Sequence, residues 1–305
     1  MDYQAILEKI HSDIALYLGQ GQVASYIPAL AAADPYDFAM SVHLLDGESF
    51  HTGSSGKPFS IQSISKVFMY EMALSLFEEK IQGRVNVEPS GNPFNSLVQL
   101  EYENGIPRNP FINPGAIVIA DMLTSYYGNS ADQSILHYIQ NSSDDFSIHI
   151  DTQIASSERQ SGFRNYALAH LMKSFGNITN EIDDVLHTYF NACSICASTS
   201  QLSRCMLHLA NHGIDPITNN ILLCSEHAKR INALMLTCGH YDASGEFAYK
   251  IGLPGKSGVG GGIVAIVPNV MSITVYSPAL NEHGNSLVGT KALELFTQYS
   301  GHTIF

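Results

Sequence analysis

Apolar residues recur at helical spacing over residues 3 to 18, so the chain is expected to open with an amphipathic helix. Two strand-like runs follow, Phe38 to Leu45 and Ser49 to Thr52, joined at Asp46-Gly47, a dipeptide that favours a tight hairpin turn. From Ser63 to about Leu236 the pattern is helical, with Asn165 to Ser174 ending before Gly176 and Ser198 to Asn211 ending before Gly213. β-Branched composition returns in Ile263 to Val267 and, across Pro268-Asn269, in Met271 to Tyr276; a last helix is expected near Ser286 to Tyr299. The pattern predicts an α+β fold in which N- and C-terminal strands form one antiparallel sheet. Two terminal helices flank the sheet, the middle helices make a lobe beside it, and the active site falls where lobe meets sheet. The chain reads as one domain, with a sheet part at about 1–62 and 240–305 and a helical lobe at about 63–239.

The stretch from 81 to 113 interrupts this regularity with Ser90-Gly-Asn-Pro93, Asn104-Gly-Ile-Pro107 and Asn109-Pro110. It is too long for an ordinary connection, and such segments are often functional.

Charge and composition narrow the classes of function. The 305 residues carry 15 Lys and Arg against 28 Asp and Glu, a formal charge of -13, with no basic run to track phosphates, so nucleic acid is not an expected partner. Asp2, Glu8, Lys9, His11 and Asp13 break up the first twenty residues, unlike the apolar core of a signal peptide. No stretch approaches the roughly 18 apolar residues of a membrane span. A cytoplasmic protein with no membrane association is expected. Its five cysteines suit free thiols in a reducing compartment. Cys193 and Cys196 form C-x-x-C, but no second pair or histidine cluster completes a zinc site, so they read as small, semi-buried thiols and no metal is expected.

The chemistry centres on Ser63 and Lys66. Residues three apart share a helix face, so the Lys66 amine can take the Ser63 proton in an S-x-x-K nucleophile pair. A second copy, Ser54 to Lys57, lies in a Gly- and Pro-flanked turn that would not hold a base in register. Ser63 instead begins an apolar helix through Val67, Phe68, Met72, Leu74 and Phe77. Its first-turn N–H groups and positive dipole end favour an oxyanion and disfavour a charged amine. A surface lysine that happens to follow serine is the bland reading, weakened by these apolar flanks.

Lys256-Ser257-Gly258, followed by Val259-Gly-Gly-Gly262 and a strand, supplies the K-[ST]-G element that lines S-x-x-K acyl-transfer sites. A phosphate-binding loop through Gly255-Lys256-Ser257 fails its pattern, because Lys250 stands where its first glycine belongs. His208 and His212, four apart, lack the glutamate of H-E-x-x-H and read as an exposed helix pair.

With these residues in place, the chain resembles the serine-dependent, β-lactamase-like glutaminase family, the bacterial-type glutaminases, over nearly its whole length. The resemblance is carried by Tyr26 to Leu30, Ile61 to Val67, Asn109 to Asn113, Ser157-Glu158, Arg164-Asn165, Tyr189 to Ser194, Thr237 to Phe247 and Leu253 to Gly262. It implies a β-lactamase/penicillin-binding-like fold, hydrolysis of L-glutamine to L-glutamate and ammonia without a cofactor, and a homodimer or homotetramer. By motif it makes Ser63 the nucleophile and Lys66 its base, with the N–H groups of Ser63 and Val259 as the oxyanion hole. Tyr26, Gln62, Asn113, Glu158, Asn165, Tyr189 and Tyr241 line the substrate pocket.

These roles suit the chemistry of a free amino acid. Glu158 pairs with the α-ammonium; Asn113, Asn165 and a tyrosine hold the α-carboxylate; and either Tyr189 or Tyr241 relays the proton to departing ammonia. Taken singly, Asn113 reads equally as a turn residue, Glu158 as a helix-cap carboxylate and the tyrosines as core aromatics. Pro114, Gly255 and His240 depart from the family pattern, His240 standing where methionine is common. Two rival functions share the fold: a penicillin-recognising enzyme, whose substrates lie outside the cytoplasm, and a glutamine-binding protein without catalysis, which retention of both Ser63 and Lys66 argues against.

Overall fold

The computed structural model describes residues 1–91 and 93–305, the side chain of Glu79 apart. Asn92, within the Gly- and Pro-rich stretch expected to be functional, lies outside the described residues. The architecture is α+β, as the apolar pattern predicts.

Five antiparallel strands form the main sheet in the order Ser49–Gly53, Ala39–Leu44, Met271–Tyr276, Gly262–Val267, Gly255–Ser257. The hairpin turns at Asp46-Gly47, where Gly47 adopts φ +94°, a conformation open to glycine at little steric cost. N- and C-terminal segments meet in the centre, with Met40 opposite Val275 and Val42 opposite Ile273.

The side-chain alternation of the strands divides the sheet into an apolar and a polar face. Met271, Ile273 and Val275 face the terminal helices Tyr3–Ile14 and Leu287–Ser300, packing with Leu7, Ile10, Leu293 and Phe296. The other face carries short polar groups toward the helix Thr199–Cys205: Ser41 bonds the Thr199 hydroxyl at 2.8 Å and Ser272 donates to the Ser203 carbonyl.

His43 lies in this polar seam, its Nδ1 2.8 Å from Ser203 Oγ. Burial, then the neighbouring His51 and Arg204, push its pKa down from 6.5 to about 4. The fold therefore prefers the neutral imidazole. This contribution to stability is fully present above pH 6.5 and is lost as pH falls toward 4. Thermal melts of wild type and His43→Asn should converge as pH is lowered from 7 to 4.5; parallel curves would show that His43 does not carry the effect.

The middle of the chain is helical. The helix Ser65–Phe77 is buried on every side through Leu74, packed by Asn113–Tyr127, Ala131–Ser143, Ile182–Cys193 and Ser225–Cys238, which explains its lack of a polar face. Among these helices sits a small sheet absent from the sequence expectations: Phe59–Ser60, Ile195–Ala197 and His149–Ile150.

Three expectations are corrected. The helix expected over Ser198 to Asn211 breaks at Met206 into Thr199–Cys205 and Leu207–Ala210. His208 is buried, not exposed: Nδ1 lies 2.9 Å from the Cys205 carbonyl and Nε2 3.2 Å from Glu71. The physical reason is Glu71, a buried carboxylate that takes His208 and the Tyr138 hydroxyl as its partners. Cys193 and Cys196 are likewise buried rather than semi-buried, and all five cysteines are free thiols. Among the described residues, no helix is long and apolar enough to cross a membrane.

Candidate active site

The strand Phe59–Ser60 passes into a single 3-10 turn, Gln62–Ile64, that feeds the buried helix from Ser65. Gln62 makes this junction with φ +49°, a left-handed conformation costly for a residue with a side chain. Its Nε2 donates to Ser60 Oγ at 3.0 Å, and the Ser65 hydroxyl donates to its carbonyl at 2.7 Å. These bonds lock the turn, so Ser63 sits at a fixed point at the head of the helix, nearly buried.

The glycine run after Lys256-Ser257 packs against the same turn. A Cβ on Gly258 would stand 2.6 Å from the Ile61 carbonyl oxygen and 3.4 Å from the Ser63 nitrogen. Only glycine lets Val259 approach the Ser63 backbone this closely.

Lys66 is 1 % exposed and donates to Asn113 Oδ1 at 2.7 Å and to the Phe111 carbonyl at 3.4 Å. Burial drives its pKa down from 10.5 to about 8, with Cys193 and Glu158 pulling the other way. Asn113, at the start of its helix, passes the contact on by donating from Nδ2 to Asn165 Oδ1 at 2.9 Å. Glu158, in the helix Thr152–Ser161, is also buried. Desolvation lifts its carboxyl to about 7, against the opposing pull of the Gln62 amide and Lys66.

Tyr241, at φ +58°, is buried beside Ser63 and Ser257. Its hydroxyl makes no well-formed hydrogen bond among the described residues, and burial raises its pKa to about 12. Lys256 lies behind it, Nζ 4.4 Å from the Tyr241 ring centre and 2.6 Å from the Ser257 carbonyl. Burial and then the nearby Lys66 hold the Lys256 amine well below its usual pKa. Two buried lysines thus lie near the Ser63 pocket, both with pKa values lowered by burial.

These elements enclose a cavity of about 260 Å³. Tyr26, Gln62, Ser63, Asn113, Glu158, Asn165, Tyr189 and Val259 line it, as expected together. Lys66 and Tyr241 stand behind its wall, one reached through Asn113 and the other adjoining Ser63. The sequence reading did not assign Phe94, Asn95, Gly162, Arg164 or Cys193, which also line it. Signals for some were present: Phe94 and Asn95 fall in the long Gly- and Pro-rich stretch, and Arg164 precedes Asn165. The cavity is smaller than the roughly 300–1,000 Å³ of most ligand pockets, so it selects a small molecule. Among the described residues, no group of three His, Cys, Asp or Glu side chains is arranged to hold a metal ion.

A buried serine and lysine at the head of one helix, opening on a small polar pocket beside an antiparallel sheet, mark an α+β hydrolase. A family model described as Glutaminase matches residues 21–305, and the chain belongs to that family: it is a glutaminase. A glutaminase of Aliarcobacter butzleri is 61% identical over 305 residues, covering all of both chains. One of Rhizobium rhizogenes is 50% identical, over 100% of this chain and 99% of that protein. Among solved structures, a Bacillus subtilis glutaminase superposes with a TM-score of 0.89 at 31% identity, over 100% of both chains. That protein was solved as a covalent complex with 5-oxo-L-norleucine, formed by reaction with 6-diazo-5-oxo-L-norleucine.

Proposed function

We propose that L-glutamine is hydrolysed through an acyl-enzyme on Ser63, with Lys66 as its activating base. The observation that carries this reading is the buried Lys66 amine, its pKa lowered to about 8 and its position fixed by Asn113, one helical turn from a serine that lines a substrate-sized pocket. The covalent norleucine complex of the Bacillus subtilis relative supports a nucleophile in that pocket.

Neutral Lys66 takes the Ser63 proton as Oγ bonds to the side-chain carbonyl carbon of glutamine. The N–H groups of Ser63 and Val259 hold the resulting oxyanion. As the C–N bond breaks, a proton passes to the leaving nitrogen and ammonia departs. Water then adds to the ester, its proton returns through the same base, and glutamate leaves with Ser63 restored. Tyr241 is the better relay to the leaving nitrogen: its hydroxyl interacts with Ser63 itself, whereas that of Tyr189 interacts with Cys193.

Glu158 pairs with the substrate α-ammonium. Asn165, Tyr26 and the Asn113 amide hold the α-carboxylate, and Gln62 steadies Glu158. The proposal extends to one domain divided at about residues 62 and 240, a cytoplasmic location and a homodimer or homotetramer.

A pH profile follows from these roles. Glu158 must be ionised, above about 7, and Lys66 neutral, above about 8. In the free enzyme kcat/KM should rise by about two log units per pH unit below pH 7 and about one between 7 and 8. Glu158→Gln should lose at least about 100-fold in kcat/KM and flatten the lower limb. An unchanged lower limb in that variant would remove Glu158 from the assignment.

The test of the function is ammonia release from L-glutamine, with L-asparagine alongside. Release from glutamine is the expected outcome. Preference for asparagine would overturn the substrate, and silence on both amides in folded protein would overturn the reaction.

A further inference from the structure

Behind the strand Gly255–Ser257, away from the Ser63 pocket, lies a second cavity of about 190 Å³. His240 borders it, 1 % exposed, and neither of its ring nitrogens has a hydrogen-bond partner among the described residues. Asn285, 2 % exposed, borders it too, with Oδ1 unpaired while Nδ2 donates to the His240 carbonyl at 3.4 Å. Buried polar atoms left unpaired are costly, so three in one cavity wall are unmet demands. The imidazole is held rigidly by stacking on Phe247, ring centres 3.4 Å apart at 13°.

The demands define the ligand. Burial and then Lys256 keep the imidazole well below its usual pKa, so it offers one N–H donor and one lone pair, while Asn285 Oδ1 offers only an acceptor. A molecule reaching the floor must therefore both donate and accept, as an amide or hydroxyl does. At the mouth, Lys250 pairs with Glu246 and Lys291 with Glu294. Two cations and two anions cancel, which disfavours a simple anion such as phosphate and suits a zwitterion. The first pair is exposed and the second half-buried, and ion pairs open to solvent are weakly held and re-pair readily with a complementary ligand.

We propose that this cavity is a second binding site, for a free α-amino acid with an amide or hydroxyl side chain. Its ammonium lies between Glu246 and Glu294, its carboxylate between Lys250 and Lys291, and its side chain reaches His240 and Asn285. His240 lies against Gly255, but none of the four charged residues at the mouth lines the Ser63 pocket, so the two sites fill independently.

The test follows the His240 imidazole signal by NMR in Ser63→Ala protein titrated with L-glutamine, the signal being assigned by its loss in His240→Met. Methionine is apolar, of similar length and packs well against an aromatic ring such as Phe247, so that variant should fold. The expected result is a saturable shift in the millimolar range that needs about tenfold more glutamine after Lys291→Gln. In otherwise wild-type protein, Lys291→Gln should leave the half-saturating glutamine for ammonia release unchanged. A His240 signal indifferent to glutamine would mean that water alone fills the cavity, and a shift unaffected by Lys291→Gln would mean that it reports only the Ser63 pocket; either overturns the proposal. The site rests on the glutaminase reading only through the choice of ligand. Failure of the Ser63 assignment appears separately, as ammonia release by Ser63→Ala.

Discussion

Ser63→Ala is expected to lose glutamine hydrolysis by at least about 10⁴-fold in kcat while its thermal unfolding stays at the wild-type temperature. The size of the loss follows from covalent catalysis. Without Oγ no ester forms, and water entering a pocket shaped for direct attack by Ser63 is not activated in its place. The fold is spared because the turn is held by other atoms. Gln62 bonds Ser60, Ser65 bonds Gln62, and Ser60 donates to the Cys193 carbonyl at 2.9 Å. None of these bonds uses the Ser63 hydroxyl. Calorimetry should still show glutamine binding, because Glu158 and the asparagines are untouched. Residual activity within tenfold of wild type would exclude an acyl-enzyme at this residue.

Lys66→Met is expected to lower kcat by about 10³-fold or more and, at the same time, to stabilise the protein. Activity falls because no neighbouring amine replaces Lys66: Lys256 is directed to the Ser257 carbonyl. Stability rises because the fold holds the Lys66 pKa near 8 where the unfolded chain keeps about 10.5. Below pH 8 the native state therefore carries a penalty on the order of 3 kcal/mol relative to the unfolded chain. Methionine matches the length of the side chain and removes that penalty, against which stands the lost bond to Asn113. The expected readout is a higher Tm at pH 7 and a smaller difference as pH approaches 10. A variant less stable than wild type at pH 7 would show that Lys66 is held for the fold rather than for the chemistry.

The parts of this fold with a period were legible in the sequence. Ile263 to Val267 is unbroken apolar strand composition and Met271 to Tyr276 alternates with Ser272 and Thr274 on the polar face, and both appear within one residue of the expected bounds. The small sheet was not legible, because Phe59–Ser60, His149–Ile150 and Ile195–Ala197 are strands of two or three residues, too short to show alternation. His208 was misread because its partner Glu71 lies 137 positions away, and spacing along one helix says nothing of a carboxylate on another. The same limit applied to the pocket. Ser63 and Lys66 announce themselves locally, but the Lys66 to Asn113 to Asn165 relay joins three helices and emerges only on folding. Cys193, notable in the sequence for its C-x-x-C spacing, instead lines the cavity beside Ser63, a position set by the packing of its helix near Glu158 and Lys66.

The most direct measurement is intact-mass and peptide mass spectrometry after treatment with 6-diazo-5-oxo-L-norleucine. The expected result is one added 5-oxo-norleucine group per chain, the reagent less dinitrogen, mapped to Ser63 and absent in Ser63→Ala. An adduct on Cys193, Lys66 or a tyrosine, or one that persists at full yield in Ser63→Ala, would contradict Ser63 as the nucleophile.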